Sequence, residues 1–143
     1  MANEERATVV AAASEALRAG QVVLLPTETV YGLAVRADDP AAVERLRELK
    51  GRDEKPFVLF VADLAAAEAS AFLPAPARRL AERYWPGPLT LVLDPTSPEA
   101  AALAGAPDGS LGYRVPGQEF TRAVIEAAGV PVFATSANLS GVP

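Results

Sequence analysis

The sequence predicts an α/β or α+β fold, a sheet covered by helices, on three observations. Apolar patterning alternates between helical and strand periods along the whole chain. The 143 residues contain no internal repeat and no Gly/Ser-rich linker, so residues 1–143 read as a single domain. Half of the composition is hydrophobic, enough for one core of ordinary size.

The elements follow in order. Residues 5–19 space Val10, Ala13 and Leu17 on one helical face, with Gly20 as a stop. Residues 22–25 form a short buried strand, and 33–36 a second. Asp39 caps the next helix with Pro40 at its first position, and Val43, Leu46 and Leu49 are expected to share its buried face up to Lys50-Gly51. Residues 57–62 read as a strand, Asp63 as the cap of an alanine-rich helix, and 76–84 as a further helix broken by Pro86-Gly87-Pro88. Strands over 89–93, 111–115 and 130–135 and a helix over 120–128, stopped by Gly129, complete the prediction.

Composition excludes several chemistries. With no cysteine and no histidine there is no thiol nucleophile, zinc-thiolate centre, Ser-His-Asp triad or imidazole metal site. The N-terminal residues lack the basic start of a signal peptide and no apolar run is long enough for a membrane span, so a cytoplasmic protein with no membrane partner is expected. A net charge of −5 opposes broad attraction to nucleic acid and requires any polyanion site to be local. The chain has eleven arginines but only two lysines, and both, Lys50 and Lys55, flank Arg52.

Four stretches stand apart. Residues 26–33 (PTETVYGL) follow a buried strand and offer two hydroxyls, a carboxylate and a phenol; they read either as a turn bonded to its own backbone or as a site. Residues 50–56 carry Lys50, Arg52 and Lys55 at a helix end. Part of this charge caps the helix dipole, and a solvated loop is the alternative, but three cations there can also converge on a triphosphate. Arg114 lies in an apolar strand and needs an anionic partner, either an internal acid or a ligand carboxylate or phosphate. The hydroxyl-rich run after the last strand can form a backbone nest for an anion. The fourth stretch, residues 84–90, reads as a rigid turn with an aromatic anchor and is assigned to structure. Neither a GxxxxGK[ST] loop nor a GxGxxG turn is present, so any nucleotide is held in some other way.

Taken in order, PTETVYGL at 26–33, KxR at 50–52, WPGPLT at 85–90, RVP at 114–116 and SANLSG at 136–141 resemble the YrdC family of L-threonylcarbamoyladenylate synthases. The resemblance implies a twisted mixed sheet flanked by helices with a concave, basic cavity. It implies formation of threonylcarbamoyl-AMP and pyrophosphate from L-threonine, bicarbonate or carbon dioxide, and ATP, with magnesium accompanying the ATP and no protein-bound metal. The product would pass to the transferase machinery that modifies adenosine 37 of tRNA. Residue by residue, the resemblance places Thr29, Arg114 and the backbone of Ala134 at L-threonine. It places Lys50, Arg52, Lys55, Ser110, Ser136 and Asn138 at ATP, with Lys50 and Arg52 also catalytic through the charge they neutralise. Family members continue past SANLSG with a further strand-containing segment that adds ligand contacts, so reduced activity, or completion of the site by another copy or protein, is expected. The alternatives are a module binding tRNA or double-stranded RNA, which the family's basic cavity also implies, and a nucleotide-binding offshoot with another substrate.

Overall fold

The computed structural model describes residues 3–28, 31–51 and 55–136. Seven strands form one sheet, and the sheet's two faces are covered unequally. The strands are β1 (Val23–Pro26), β2 (Tyr31–Arg36), β3 (Val58–Phe60), β4 (Ala71–Phe72), β5 (Leu91–Pro95), β6 (Leu111–Arg114) and β7 (Val132–Ser136). Their spatial order is β1-β2-β7-β3-β6-β5-β4. Only β3 and β6 pair in parallel, and every other neighbouring pair is antiparallel. The last strand thus inserts between β2 and β3, so residues far apart in sequence become neighbours at the sheet centre.

Alternation along each strand sorts side chains onto the two faces. Leu59, Leu91, Leu93, Leu111, Tyr113 and Phe133 point to one face. There they pack with Val43 and Leu46 of α2 (Pro40–Lys50), Ala67 of α3 (Leu64–Ser70), Ala81 of α4 (Ala75–Tyr84) and Ala104 of α5 (Pro98–Ala104). Phe60, Val132 and Ala134 point to the other face. They meet Leu17 of α1 (Asn3–Arg18) and Val124, Ile125 and Ala128 of α6 (Glu119–Ala128). These two helices cover only part of that face, and Val92, which pairs with Gly112, remains 68% exposed.

Most expected elements form, with ends displaced by at most two residues. Asp39 caps α2 by accepting from the Ala41 amide at 3.0 Å, and Gly129 ends α6 in the left-handed conformation at φ 65°. Two short elements, β4 and α5, escaped the pattern, and the strand expected at 89–93 runs from Leu91 to Pro95 instead. The expected buried face of α2 needs one correction: Leu49 is 53% exposed, whereas Lys50 is 3% exposed. Seven residues turn an α-helix by within about 20° of two full turns, so Lys50 lies under Val43, while Leu49 falls about 120° away. The helix therefore delivers a lysine to the interior edge of the sheet. Among the described residues no helix is long and apolar enough to cross a membrane.

Candidate functional site

The uncovered part of the second face contains a hollow of about 130 Å³. Its floor is made by residues that register brings to the same side of the sheet. Gly32 pairs with Ser136, Ala134 with Val58, and Phe60 with Arg114. Small side chains at Gly32 and Ala134 keep this floor low, and Thr27, Tyr31 and Thr90 close the sides. At about 30 Å³ per water the hollow has room for roughly four waters or a small solute. Whole-nucleotide pockets run to several hundred Å³, so the hollow by itself is too small to enclose a nucleotide.

Two cationic groups are tied to this hollow in different ways. Arg114 lines it, whereas Lys50 contacts it only through Ser136: from the end of α2, Lys50 Nζ donates to the Ser136 carbonyl at 2.8 Å, with Ser136 Oγ at 3.4 Å. One contact thereby joins the KxR and SANLSG motifs, 86 positions apart. Arg114 stands two strands away and four residue steps along the strand direction, a Cα separation on the order of 15 Å by strand spacing and rise. The two cations can thus serve two different anionic groups.

Arg114 is held on several sides. Its Nε donates to the Gly87 carbonyl at 3.3 Å, and its guanidinium carbon lies 5.6 Å from the Phe60 ring centroid. Nη2 forms an ion pair with Glu28, whose other carboxylate oxygen accepts from the Gly117 amide. Burial pushes the guanidinium pKa below its ordinary value, yet arginine starts high enough to remain charged at neutral pH. The internal-acid alternative for Arg114 is therefore realised, and Glu28 offsets the charge of the cavity at that end.

The turn assigned to structure alone also serves the hollow. Trp85, buried, anchors it by donating Nε1 to the Leu89 carbonyl at 2.7 Å, and the Gly87 amide bonds the Val115 carbonyl at 2.9 Å. This docking aims the Gly87 carbonyl at Arg114 and places Thr90 on the wall of the hollow. A Cβ on Gly87 would lie 2.5 Å from the Tyr84 carbonyl oxygen, so the turn closes only around glycine. Gly87→Ala is expected to lower stability by about 1–3 kcal/mol in urea denaturation, as overpacking does, and to displace the carbonyl that holds Arg114.

The other expected site residues divide. Ala134 lies on the floor and Ser136 at the rim. Ser110 does not line the hollow; its hydroxyl donates to Asp108 at 2.6 Å, and its amide bonds the same oxygen at 3.0 Å. That carboxylate is held below its usual pKa, first by the hydroxyl bond. Lys55 is exposed just before β3. Thr29, Arg52 and Asn138 lie outside the described residues. Thr27, Glu28, Tyr31, Phe60, Gly87 and Thr90 were not singled out as site residues from sequence. Glu28 had a usable signal, as a carboxylate in the loop after a buried strand, but its partner could not be read from local sequence.

Fold and site together define an α/β protein with a small hollow on one sheet face, lined by Arg114 and by Ser136, whose carbonyl Lys50 bonds. The Sua5/YciO/YrdC family model, described as telomere recombination, matches residues 15–143, and the chain belongs to that family. It is 41% identical over 129 residues to a threonylcarbamoyl-AMP synthase of Pyrococcus abyssi, an alignment covering 89% of this chain and 38% of that protein. It is 35% identical to the threonylcarbamoyl-AMP synthase of Escherichia coli O1:K1 / APEC, covering all of this chain and 77% of the relative. The structure of P. abyssi Sua5 complexed with L-threonine matches with a TM-score of 0.86 at 40% identity, over 94% of this chain and 40% of that one. E. coli YciO matches with a TM-score of 0.84 at 30% identity, over 94% and 66% respectively. The chain thus spans about two fifths of the length of the first relatives it matches.

Proposed function

We propose that this chain forms L-threonylcarbamoyl-AMP and pyrophosphate from L-threonine, bicarbonate or carbon dioxide, and ATP. The observation that carries this reading is the placement of Arg114 and Ser136 at separate places on one small hollow, with Lys50 bonded to the Ser136 carbonyl, in a chain similar to threonylcarbamoyl-AMP synthases.

In this reading Arg114 takes the α-carboxylate of threonine, and the Ala134 backbone and Thr29 complete the amino-acid site. The threonine amine, once deprotonated, adds to carbon dioxide and gives a carbamate. A carbamate oxygen then attacks the α-phosphorus of ATP; the P–O bond to the β-phosphate breaks, and pyrophosphate leaves with that electron pair. The enzyme needs no nucleophile of its own, which suits a chain without cysteine or histidine. Lys50 and Arg52 offset charge growing on the leaving group, Lys55 assists at the phosphates, and Ser110, Ser136 and Asn138 border the nucleotide. Lys50 is pre-positioned by its bond to the Ser136 carbonyl and spends little entropy on finding a phosphate. In this reading magnesium enters with the ATP phosphates. The product is a mixed anhydride that must pass to a transferase acting on tRNA adenosine 37.

The test is pyrophosphate release from ATP with magnesium, bicarbonate and protein, with and without L-threonine. Release that depends on threonine is expected. A rate that is the same without threonine, or with serine in its place at equal concentration, counts against the reading.

A further inference from the structure

Glu28 has no role in the scheme above, yet it is placed where that scheme needs control. Its side chain is 22% exposed and that of Arg114 is 16% exposed, so both charges are largely out of water. One carboxylate oxygen faces Arg114 Nη2 and the other accepts the Gly117 amide. A Cβ on Gly117 would lie 2.6 Å from Glu28 Oε1, so the carboxylate keeps this seat only while residue 117 lacks a side chain. The loop carrying Glu28 is itself tied down: the Pro26 carbonyl accepts from Thr121 Oγ1 at 2.6 Å, and Thr121 is fully buried on α6. Arg122, one residue further on α6, donates to the Pro116 carbonyl at 2.7 Å and fixes the turn that carries Gly117.

Three chain segments therefore meet at one guanidinium. The Gly87 carbonyl holds its Nε, Glu28 holds Nη2, and the Phe60 ring lies beside it. A carboxylate that merely occupied the substrate's place would have to move out on binding. Glu28 is instead held by the Gly117 amide on one oxygen, paired with the Arg114 charge on the other and backed by a helix-anchored loop, which is the construction of a fixed partner.

We propose that Glu28 is a positioning residue for Arg114: as a permanent internal counter-ion it fixes the guanidinium plane and leaves the remaining donors to receive the carboxylate of an amino-acid substrate. This rests on the reading of Arg114 as the carboxylate-binding residue. An arginine binds a carboxylate best through a fixed planar fork, so freeing it to rotate weakens binding even though the site becomes more positive. The expected sign is thus opposite to that of simple charge removal.

The experiment compares the full chain with Glu28→Gln and Glu28→Asp variants in two measurements. Nitrogen-15 NMR follows the Arg114 Nε–H resonance, assigned by its loss in Arg114→Lys, without any ligand. Calorimetry follows L-threonine, with ATP binding as the control. Glu28→Gln is expected to speed Nε–H exchange at least tenfold and to weaken threonine binding at least tenfold, with ATP affinity within twofold of the starting chain. Glu28→Asp is expected to recover part of both effects. Gly117→Ala, which leaves Glu28 in the sequence but pushes it from its seat, is expected to move both in the direction of Glu28→Gln. Threonine affinity that is unchanged or tighter in Glu28→Gln overturns the proposal, since it makes Glu28 a bystander or a competitor. A starting chain that binds no threonine overturns the reading of Arg114 instead. In that case the Nε–H exchange still decides positioning: unchanged exchange in Glu28→Gln rejects it, and accelerated exchange upholds it.

Discussion

Replacing Lys50 by methionine is expected to cut threonine-dependent pyrophosphate release by at least tenfold, with threonine affinity within threefold of the starting chain. Charge-assisted hydrogen bonds are worth about 1.5–3 kcal/mol, which at 1.36 kcal/mol per decade is roughly a 10- to 150-fold effect. Methionine is the informative substitution because the Lys50 side chain is buried at the end of α2. An unbranched apolar side chain keeps the packing of the stem, whereas alanine would add a cavity and confuse folding with chemistry. Steady-state kinetics with ATP varied, alongside a thermal melt, separate the two. Loss of rate with a similar melting temperature is the expected pair, and an unchanged rate rejects a phosphate role for Lys50.

The second large effect belongs to Arg114. Arg114→Ala is expected to raise the KM for L-threonine by at least tenfold and to destabilise the fold by about 1–3 kcal/mol, because it strands Glu28 in a largely buried position. Arg114→Lys keeps the charge but loses the planar fork. It is expected to restore most of the stability and little of the threonine affinity. Denaturant unfolding and threonine titration of both variants check this. Equal recovery of stability and affinity in the lysine variant would mean that charge alone matters at this position.

These two residues differ in how far the sequence revealed them. Lys50 stood out as one of only two lysines, and its burial follows from helical arithmetic, since it falls under Val43 where Leu49 does not. Arg114 was marked as a cation in an apolar strand, but not its partner. Glu28 and Gly117 are 89 positions apart and meet only because α6 folds back over the second sheet face. Long-range pairing of this kind has no local signature. The order of the strands was hidden for the same reason, because β7 inserts between β2 and β3 although about 70 residues separate it from β3 in sequence.

Strand and helix identities were legible where residues had the right period and the right stops, as at Asp39-Pro40 and Gly129. Elements without a period were lost. α5 has only seven residues, four of them alanine after a proline start, and β4 has two residues, so neither presents a recognisable face. The turn at residues 85–90 shows the converse. Its rigidity was legible, but its service to Arg114 was not, since the bond is made by a backbone carbonyl that any residue type supplies. Floor positions such as Gly32 and Ala134 act by being small, and a small residue announces a cavity only when its neighbours across the sheet are known.

The central claim is that one hollow joins an amino acid to the α-phosphate of ATP through captured carbon dioxide. Its most direct test is incubation of the chain with L-threonine, magnesium, ATP and carbon-13 bicarbonate, followed by mass spectrometry of the nucleotide products. The account predicts an adenylate that carries the threonine mass and one labelled carbon, formed together with pyrophosphate and absent when threonine is omitted. Formation of pyrophosphate with no labelled adenylate, under conditions where added product is stable, would contradict it.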